Sequence, residues 1–174
     1  MINLKSPILL EKLHIKHQFD CGEEALNTFL KEYAMQNSKN NASRTYVCAT
    51  KNDNIVMGFY TLTYGTISHH EATEKVKKNM PRYPIPIMIL ARLGVDIKYQ
   101  KLGLGKELLR DALLRTLQAS EIAGLKAILA HAKGAKAIDF YKKYDFEQSE
   151  FSESCLMLTI QDIYHSLEAP TNAK

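Results

Sequence analysis

Cysteine is scarce in this sequence of 174 residues, and the three present, Cys21, Cys48 and Cys155, lie far apart and are odd in number. That pattern argues against a disulfide scaffold and against a zinc cluster. A continuous apolar stretch at the N-terminus is missing too, and no segment approaches the length needed to cross a bilayer, so no membrane role and a cytoplasmic location are expected. Internal repeats and low-complexity tracts are absent. Charge of one sign does not dominate: the net charge is +4, with 45% hydrophobic and 24% charged residues. A chain of this length and composition has room for one domain with a proper core, expected over residues 1–168, followed by a loose tail over 169–174.

What is present centres on the apolar run Ile87 to Ile97 and the polar crossing after it, Lys98-Tyr99-Gln100-Lys101-Leu102-Gly103-Leu104-Gly105-Lys106. From Leu104 to Leu117 the apolar residues recur at helical spacing, with Leu104, Leu108, Leu109, Ala112, Leu113 and Leu117 on one side and Leu114 on the polar side. A strand, a loop and a helix N-terminus are therefore predicted in sequence. The first N–H groups of a helix have no intrahelical partner and the macrodipole is positive there, so a phosphate docks readily. Gly103 and Gly105 would let the backbone approach it closely. Two commoner phosphate loops fail on spacing: Glu107 follows Lys106 where a P-loop needs Ser or Thr, and Leu108 stands where a dinucleotide fingerprint needs a third glycine.

The rest of the chain frames that unit. A first strand is expected over residues 8–13. Asp20-x-x-Glu23 has the form of a capping box ahead of a helix with Leu26, Phe29, Leu30, Tyr33 and Ala34 on one face, ending within Gln36 to Asn41. Thr45 to Thr50 and Ile55 to Ile67 read as two antiparallel strands, and Glu71 to Asn79 as a charged helical piece. Lys126 to Ala132 is fit for a second inner strand, Ala135 to Tyr144 for a crossover helix, and the segments from Phe146 and from Ser154 to Ile160 for the last strands. One more helical turn is expected beyond Asp162. The alternation implies an α/β fold on a mixed sheet flanked by helices. Cys21, near a helix N-terminus, could have a lowered pKa, although a partly buried small residue is the plainer reading. His14 and His17 have no partners at metal-ligand spacing, and adjacent His69 and His70 suit a solvated loop; no metal is expected.

Gln100-x-x-Gly103-x-Gly105, after the strand end Leu93-Gly94-Val95-Asp96, resembles the coenzyme A pyrophosphate loop of the GNAT superfamily of N-acetyltransferases. More narrowly, Phe19-Asp20-Cys21-Gly22, Ala42-Ser43-Arg44-Thr45, Asn79-Met80-Pro81, Ala91 to Asp96 and Phe140-Tyr141-Lys142-Lys143-Tyr144-Asp145-Phe146 resemble, in order, segments of GNAT toxins from toxin–antitoxin pairs. The resemblance implies two central strands that splay apart around acetyl-CoA. It puts the pantetheine arm and acetyl group against Leu93, Gly94 and Val95, and the pyrophosphate on Gln100, Lys101, Leu102, Gly103, Leu104, Gly105 and Lys106, with Phe140 and Tyr144 also near the cofactor. Tyr141 matches the tyrosine of the family's Phe-Tyr-x-x-x-Gly-Phe segment and becomes the candidate proton donor to the departing thiolate. Here Asp145 replaces that segment's glycine, a residue that tolerates the left-handed backbone better than most.

The implied substrate is aminoacyl-tRNA, whose acetylation blocks translation, and the implied partners are a second copy of the chain and a small DNA-binding antitoxin. Chemistry agrees with an α-amine. A phenol titrates near 10 and a thiol near 8.5, so full transfer from Tyr141 is uphill by roughly 2 kcal/mol until the attacking ammonium loses its own proton. The motif set holds no carboxylate or histidine base, which is a serious gap for a lysine amine near 10.4 but a small one for an α-amine near 7.7. Basic residues stand where tRNA phosphates would want them: Lys75, Lys77, Lys78 and Arg82 with no acid among them, Arg44, Arg92, and Lys142 among the lysines of the last crossover helix. Two alternatives stay open, a GNAT enzyme acting on a small amine or a protein N-terminus, and a coenzyme A-binding partner protein without turnover.

Overall fold

The computed structural model describes residues 6–168, so the expected tail over 169–174 lies outside the described residues. Its strands form a mixed seven-stranded sheet flanked by helices, and the chain divides into two compact units, Met1–Thr63 with Leu90–Ala112 and Tyr64–Ile89 with Leu113–Lys174.

In the first unit the strand order is β1 (Ile8–Leu9), β2 (Arg44–Ala49), β3 (Val56–Ile67) and β4 (Ile85–Val95), the last two strands continuing into the second unit. β1 and β2 are antiparallel, as are β2 and β3, with Thr45 opposite Thr61 and their hydroxyls hydrogen-bonded at 2.8 Å in the interior. The strand expected over residues 8–13 stops at Leu9. The His14 ring accepts the Glu11 N–H at 2.9 Å and the Glu11 carbonyl accepts the His14 N–H at 3.1 Å, which turns the chain out of the sheet. The expected helix is one continuous rod from α1 (Glu24–Thr28) through a π-helical turn, Phe29–Tyr33, to α2 (Ala34–Lys39). Phe29, Leu30 and Ala34 from that rod, with Phe19, Val47 and Phe59, form the core of this unit. Gly58 is a matter of space: a Cβ there would stand 2.9 Å from Leu108 Cδ1 and 3.2 Å from the Gly94 carbonyl oxygen, so glycine lets α4 (Leu104–Ile122) lie close on the sheet.

The capping box does not form. Glu23 is the N-cap and makes no side-chain bond there, while the Asp20 carboxylate accepts the Gly22 N–H and the Asn27 side-chain amide, both at 2.9 Å. Asn27, buried in α1, then accepts the Cys21 N–H at 2.9 Å.

In the second unit the order is β4, β5 (Ala127–His131), β7 (Cys155–Thr159) and β6 (Glu147–Gln148). The Lys126 N–H donates to the Pro86 carbonyl at 2.9 Å, which sets the starts of β5 and β4 side by side and parallel, joined by α4 as a crossover. β7 runs antiparallel to both β5 and β6. The core here is Ile67, Val76, Ile85, Ile87, Leu129 and Met157. The helical piece expected over Glu71 to Asn79 shrinks to α3 (Glu74–Lys77), because Ser68 ties Glu71 into a turn before it and Asn79 takes a left-handed backbone after it. Crossover helix α5 (Gly134–Lys143) is close to expectation, and α6 (Ile160–Glu168) is longer than the single turn foreseen, anchored by buried Ile163.

Candidate active site

The first unit carries the strand end, the loop and the helix N-terminus. β4 closes at Val95. Asp96, 5% exposed, caps the 3-10 turn Ile97–Tyr99: its carboxylate accepts the Lys98 N–H at 2.9 Å and, from the far side of the sequence, the Asp20 N–H at 3.1 Å. Gln100 is spent on the same tie, since its side-chain amide donates to the carbonyls of Val95 at 2.9 Å and Cys21 at 3.1 Å. Its amide nitrogen therefore helps hold the loop's shape.

After it the chain twists. Lys101 takes φ +64° and Gly103 φ +85°, so a non-glycine and a glycine both sit in the left-handed region within three residues. A Cβ on Gly103 would meet nothing within 4 Å, so its glycine serves backbone conformation and faces open space of the kind a phosphate needs. The first helical bond is Glu107 N–H to the Gly103 carbonyl at 3.2 Å, so the amides of Leu104, Gly105 and Lys106 precede the intrahelical ladder. Lys101, Leu102, Gly103 and Lys106 are exposed, while Leu104 and Leu108 hold the helix down by burial. Leu93, Gly94 and Val95 lie just upstream on β4. Gly94 is packed so closely that an added Cβ would stand 3.1 Å from the Phe59 ring and 3.4 Å from Cys21 Sγ.

Cys21 itself is not activated. Burial outweighs the hydrogen bonds around it and raises its pKa, so the plainer reading of a partly buried small residue holds and the lowered pKa does not. Of the basic residues in this unit, Arg92 lays its guanidinium over the Phe29 ring, 3.7 Å from the centroid, and burial lowers its pKa. Arg44 is exposed but bonds the Ser38 carbonyl and the Asn41 side-chain oxygen, each at 2.7 Å, and so fixes the turn after α2.

The second unit carries Tyr141. It is 5% exposed on α5, with the rings of Phe140 and Phe146 each 5.2 Å away, and Phe140 lies the same distance from Tyr144. Burial alone pushes its phenol well above the ordinary range, and among the described residues no acceptor takes its hydroxyl. Asp145 does what its glycine counterpart would: it takes φ +66°, and the helix closes with the Asp145 N–H on the Lys142 carbonyl at 3.1 Å and the Phe146 N–H on the Tyr141 carbonyl at 3.2 Å.

The basic run in this unit is less free than its sequence suggests. Lys75 is paired with Glu147 at 3.1 Å and Asp162 at 3.4 Å, and Lys77 with Glu74 at 3.1 Å. Lys78, Arg82 and Lys142 remain exposed. Sequence reasoning missed Asp96 and Asn27 as organisers; a buried-side carboxylate at a strand end and an asparagine on the apolar face of an amphipathic helix were the available signals. Among the described residues no group of three or more His, Cys, Asp or Glu could hold a metal ion, and no helix is long and apolar enough to cross a membrane.

Comparison with known proteins speaks to this arrangement. The acetyltransferase (GNAT) domain family matches residues 41–148. A tRNA-acetylating toxin of Mycobacterium tuberculosis is 43% identical over 144 residues, 83% of this chain and 85% of that protein. Among solved structures, AtaT complexed with acetyl-methionyl-tRNAfMet superposes with a TM-score of 0.87 at 28% identity, covering 95% of this chain and 99% of the other. An AtaT variant with tyrosine changed to phenylalanine, bound to the C-terminus of the antitoxin AtaR and acetyl-CoA, gives 0.81 at 26%, covering 95% and 99%. With the family match spanning the strand end, the glycine loop and the Phe140-Tyr141 segment, the chain belongs to the GNAT acetyltransferase family.

Proposed function

We propose that this protein is a cytoplasmic toxin that transfers the acetyl group of acetyl-CoA to the α-amino group of aminoacyl-tRNA and so blocks translation. Its partners in this reading are a second copy of itself and a small DNA-binding antitoxin. The observation that carries the reading is the opening of α4, where the Leu104, Gly105 and Lys106 amides lead a helix behind a twisted, exposed loop with open space at Gly103. The acceptor and the antitoxin come from relatives: a 43% identical protein is named a tRNA-acetylating toxin, and similar structures hold acetyl-methionyl-tRNA, an antitoxin, or, for the KacTA complex, DNA.

The thioester supplies the acetyl group and a thiolate leaving group. The α4 amides and the macrodipole hold the diphosphate at fixed positions, which converts cofactor binding into orientation. The last residues of β4, Leu93 to Val95, can pair with an extended pantetheine arm through their backbone. Tyr141 keeps its proton at neutral pH because burial disfavours the phenolate. It serves as a hydrogen-bond donor to the departing sulfur and completes the transfer as the ammonium gives up its proton. An α-amine, already partly neutral near pH 7, needs no strong base for that.

Phosphate contacts in this reading fall to Lys78, Arg82 and Lys142, with Arg44 and Arg92 contributing their free faces and Lys75 and Lys77 only after exchanging their acidic partners. Labelled acetyl transfer to a charged-tRNA pool tests the assignment. Tyr141→Phe should lower kcat by about a hundredfold or more with KM for acetyl-CoA little changed, the size expected for a lost general acid. Unchanged turnover would remove Tyr141 from the chemistry. Added salt should weaken a tRNA acceptor steeply, whereas indifference to salt would point to a small amine.

A further inference from the structure

The second unit contains a cavity of about 250 Å³ that the proposed function does not use, lined on its apolar part by Ile87, Ile89, Leu129 and Phe151. Cys155 and His131 both line it, with the Cys155 sulfur 3.5 Å from His131 Nδ1. The contact is built into the sheet: the two residues are directly opposed across the β5–β7 ladder, where facing Cβ atoms stand about 5 Å apart. Backbone bonds on either side pin it, from the Ser149 N–H to the Cys155 carbonyl at 2.8 Å, from the Cys155 N–H to the Ser152 carbonyl at 3.1 Å, and from the Ala132 N–H to the Ser154 carbonyl at 2.8 Å.

We propose that Cys155 and His131 form a reactive thiol–imidazole pair, a covalent modification site that takes uncharged low-molecular-weight disulfides with an apolar arm. The Cys155 S–H gives its proton to His131 Nδ1, the sulfur attacks one sulfur of the disulfide, the S–S bond breaks, and the departing thiolate takes a proton back. The net change is one thiol and one disulfide converted to a mixed disulfide and a free thiol, with no other reactant. The apolar lining accepts the retained arm. Glu71, whose carboxylate is held by the Ser68 hydroxyl at 2.8 Å, lines the same cavity and disfavours anionic reagents. His70 lies tilted against Phe151, another residue lining the cavity, with ring centroids 4.2 Å apart. The other two thiols offer a contrast: Cys48 is buried with its pKa pushed up to about 11, and burial raises that of Cys21.

The test treats the folded protein with diethyl disulfide, which is uncharged, does not titrate and carries apolar arms, and follows adducts by intact mass and peptide mapping. Cys155 should be modified about tenfold faster than Cys21 or Cys48 near neutral pH, and Cys155→Ser should abolish the fast phase. His131→Asn, which removes the proton-accepting ring nitrogen, should slow modification of Cys155 about tenfold at the same pH. Adducts spread evenly over the three cysteines would overturn the proposal, as would an unchanged Cys155 rate in His131→Asn. If His131→Asn does not fold, His131→Gln takes its place in the same comparison.

Discussion

Asp96→Asn is the substitution that probes the loop's foundation without touching a ligand. The two carboxylate oxygens have separate duties, Oδ1 accepting the Lys98 N–H at 2.9 Å and Oδ2 the Asp20 N–H at 3.1 Å. An asparagine keeps one acceptor and turns the other position into a donor facing a donor, inside a site where Asp96 is 5% exposed. A hydrogen bond to a charged acceptor contributes about 1.5–3 kcal/mol, and a buried group left unpaired costs about 1–3 kcal/mol, so a loss of about 2–3 kcal/mol is expected. For a chain of this size each kcal/mol moves the midpoint by about 2–4 °C, giving a fall in Tm of roughly 5–10 °C. Thermal unfolding followed by circular dichroism measures it. Since the turn entering the loop is what loosens, KM for acetyl-CoA should also rise, with a smaller effect on kcat. A Tm within about 1 °C of the unaltered protein would refute the claim that this carboxylate joins the two segments.

Other expectations follow from single residues. Asp145→Gly should raise Tm by about 1–4 °C, because glycine occupies the left-handed φ of +66° at lower cost than aspartate, and acetylation should be unaffected. Asp20 should make stability depend on pH in acid: the Gly22 N–H and the Asn27 amide depress its pKa in the folded state, so the unfolded chain binds the proton more tightly. Its contribution is then present above about pH 4 and lost as pH falls through the folded pKa, and denaturant titrations of Asp20→Asn should show a shallower acid limb than the unaltered protein.

The features legible in the sequence are the local ones. Leu104, Leu108, Leu109 and Ala112 declare one buried face of α4 because helical spacing is written within a few turns, and Asp145 marks a left-handed position because so few residues tolerate it. The features that escaped depend on residues distant in sequence. Asp20 meets Asp96 across 76 positions and Lys75 meets Asp162 across 87, so neither the Asp96 tie nor the neutralised lysine had a nearby signal. Gln100 lay in the motif, but its side chain binds the Val95 and Cys21 carbonyls, a use that spacing alone does not reveal. The first strand was overextended because its end is set by the ring of His14 folding back on Glu11, which no alternation pattern encodes.

The most direct measurement of the central claim is a crystal structure of the protein with acetyl-CoA. The account predicts the diphosphate on the Leu104, Gly105 and Lys106 amides, the acetyl end along Leu93 to Val95, and the Tyr141 hydroxyl within hydrogen-bond reach of the thioester sulfur. A diphosphate bound elsewhere, or a Tyr141 hydroxyl out of hydrogen-bond reach of the sulfur with the cofactor in place, would contradict it.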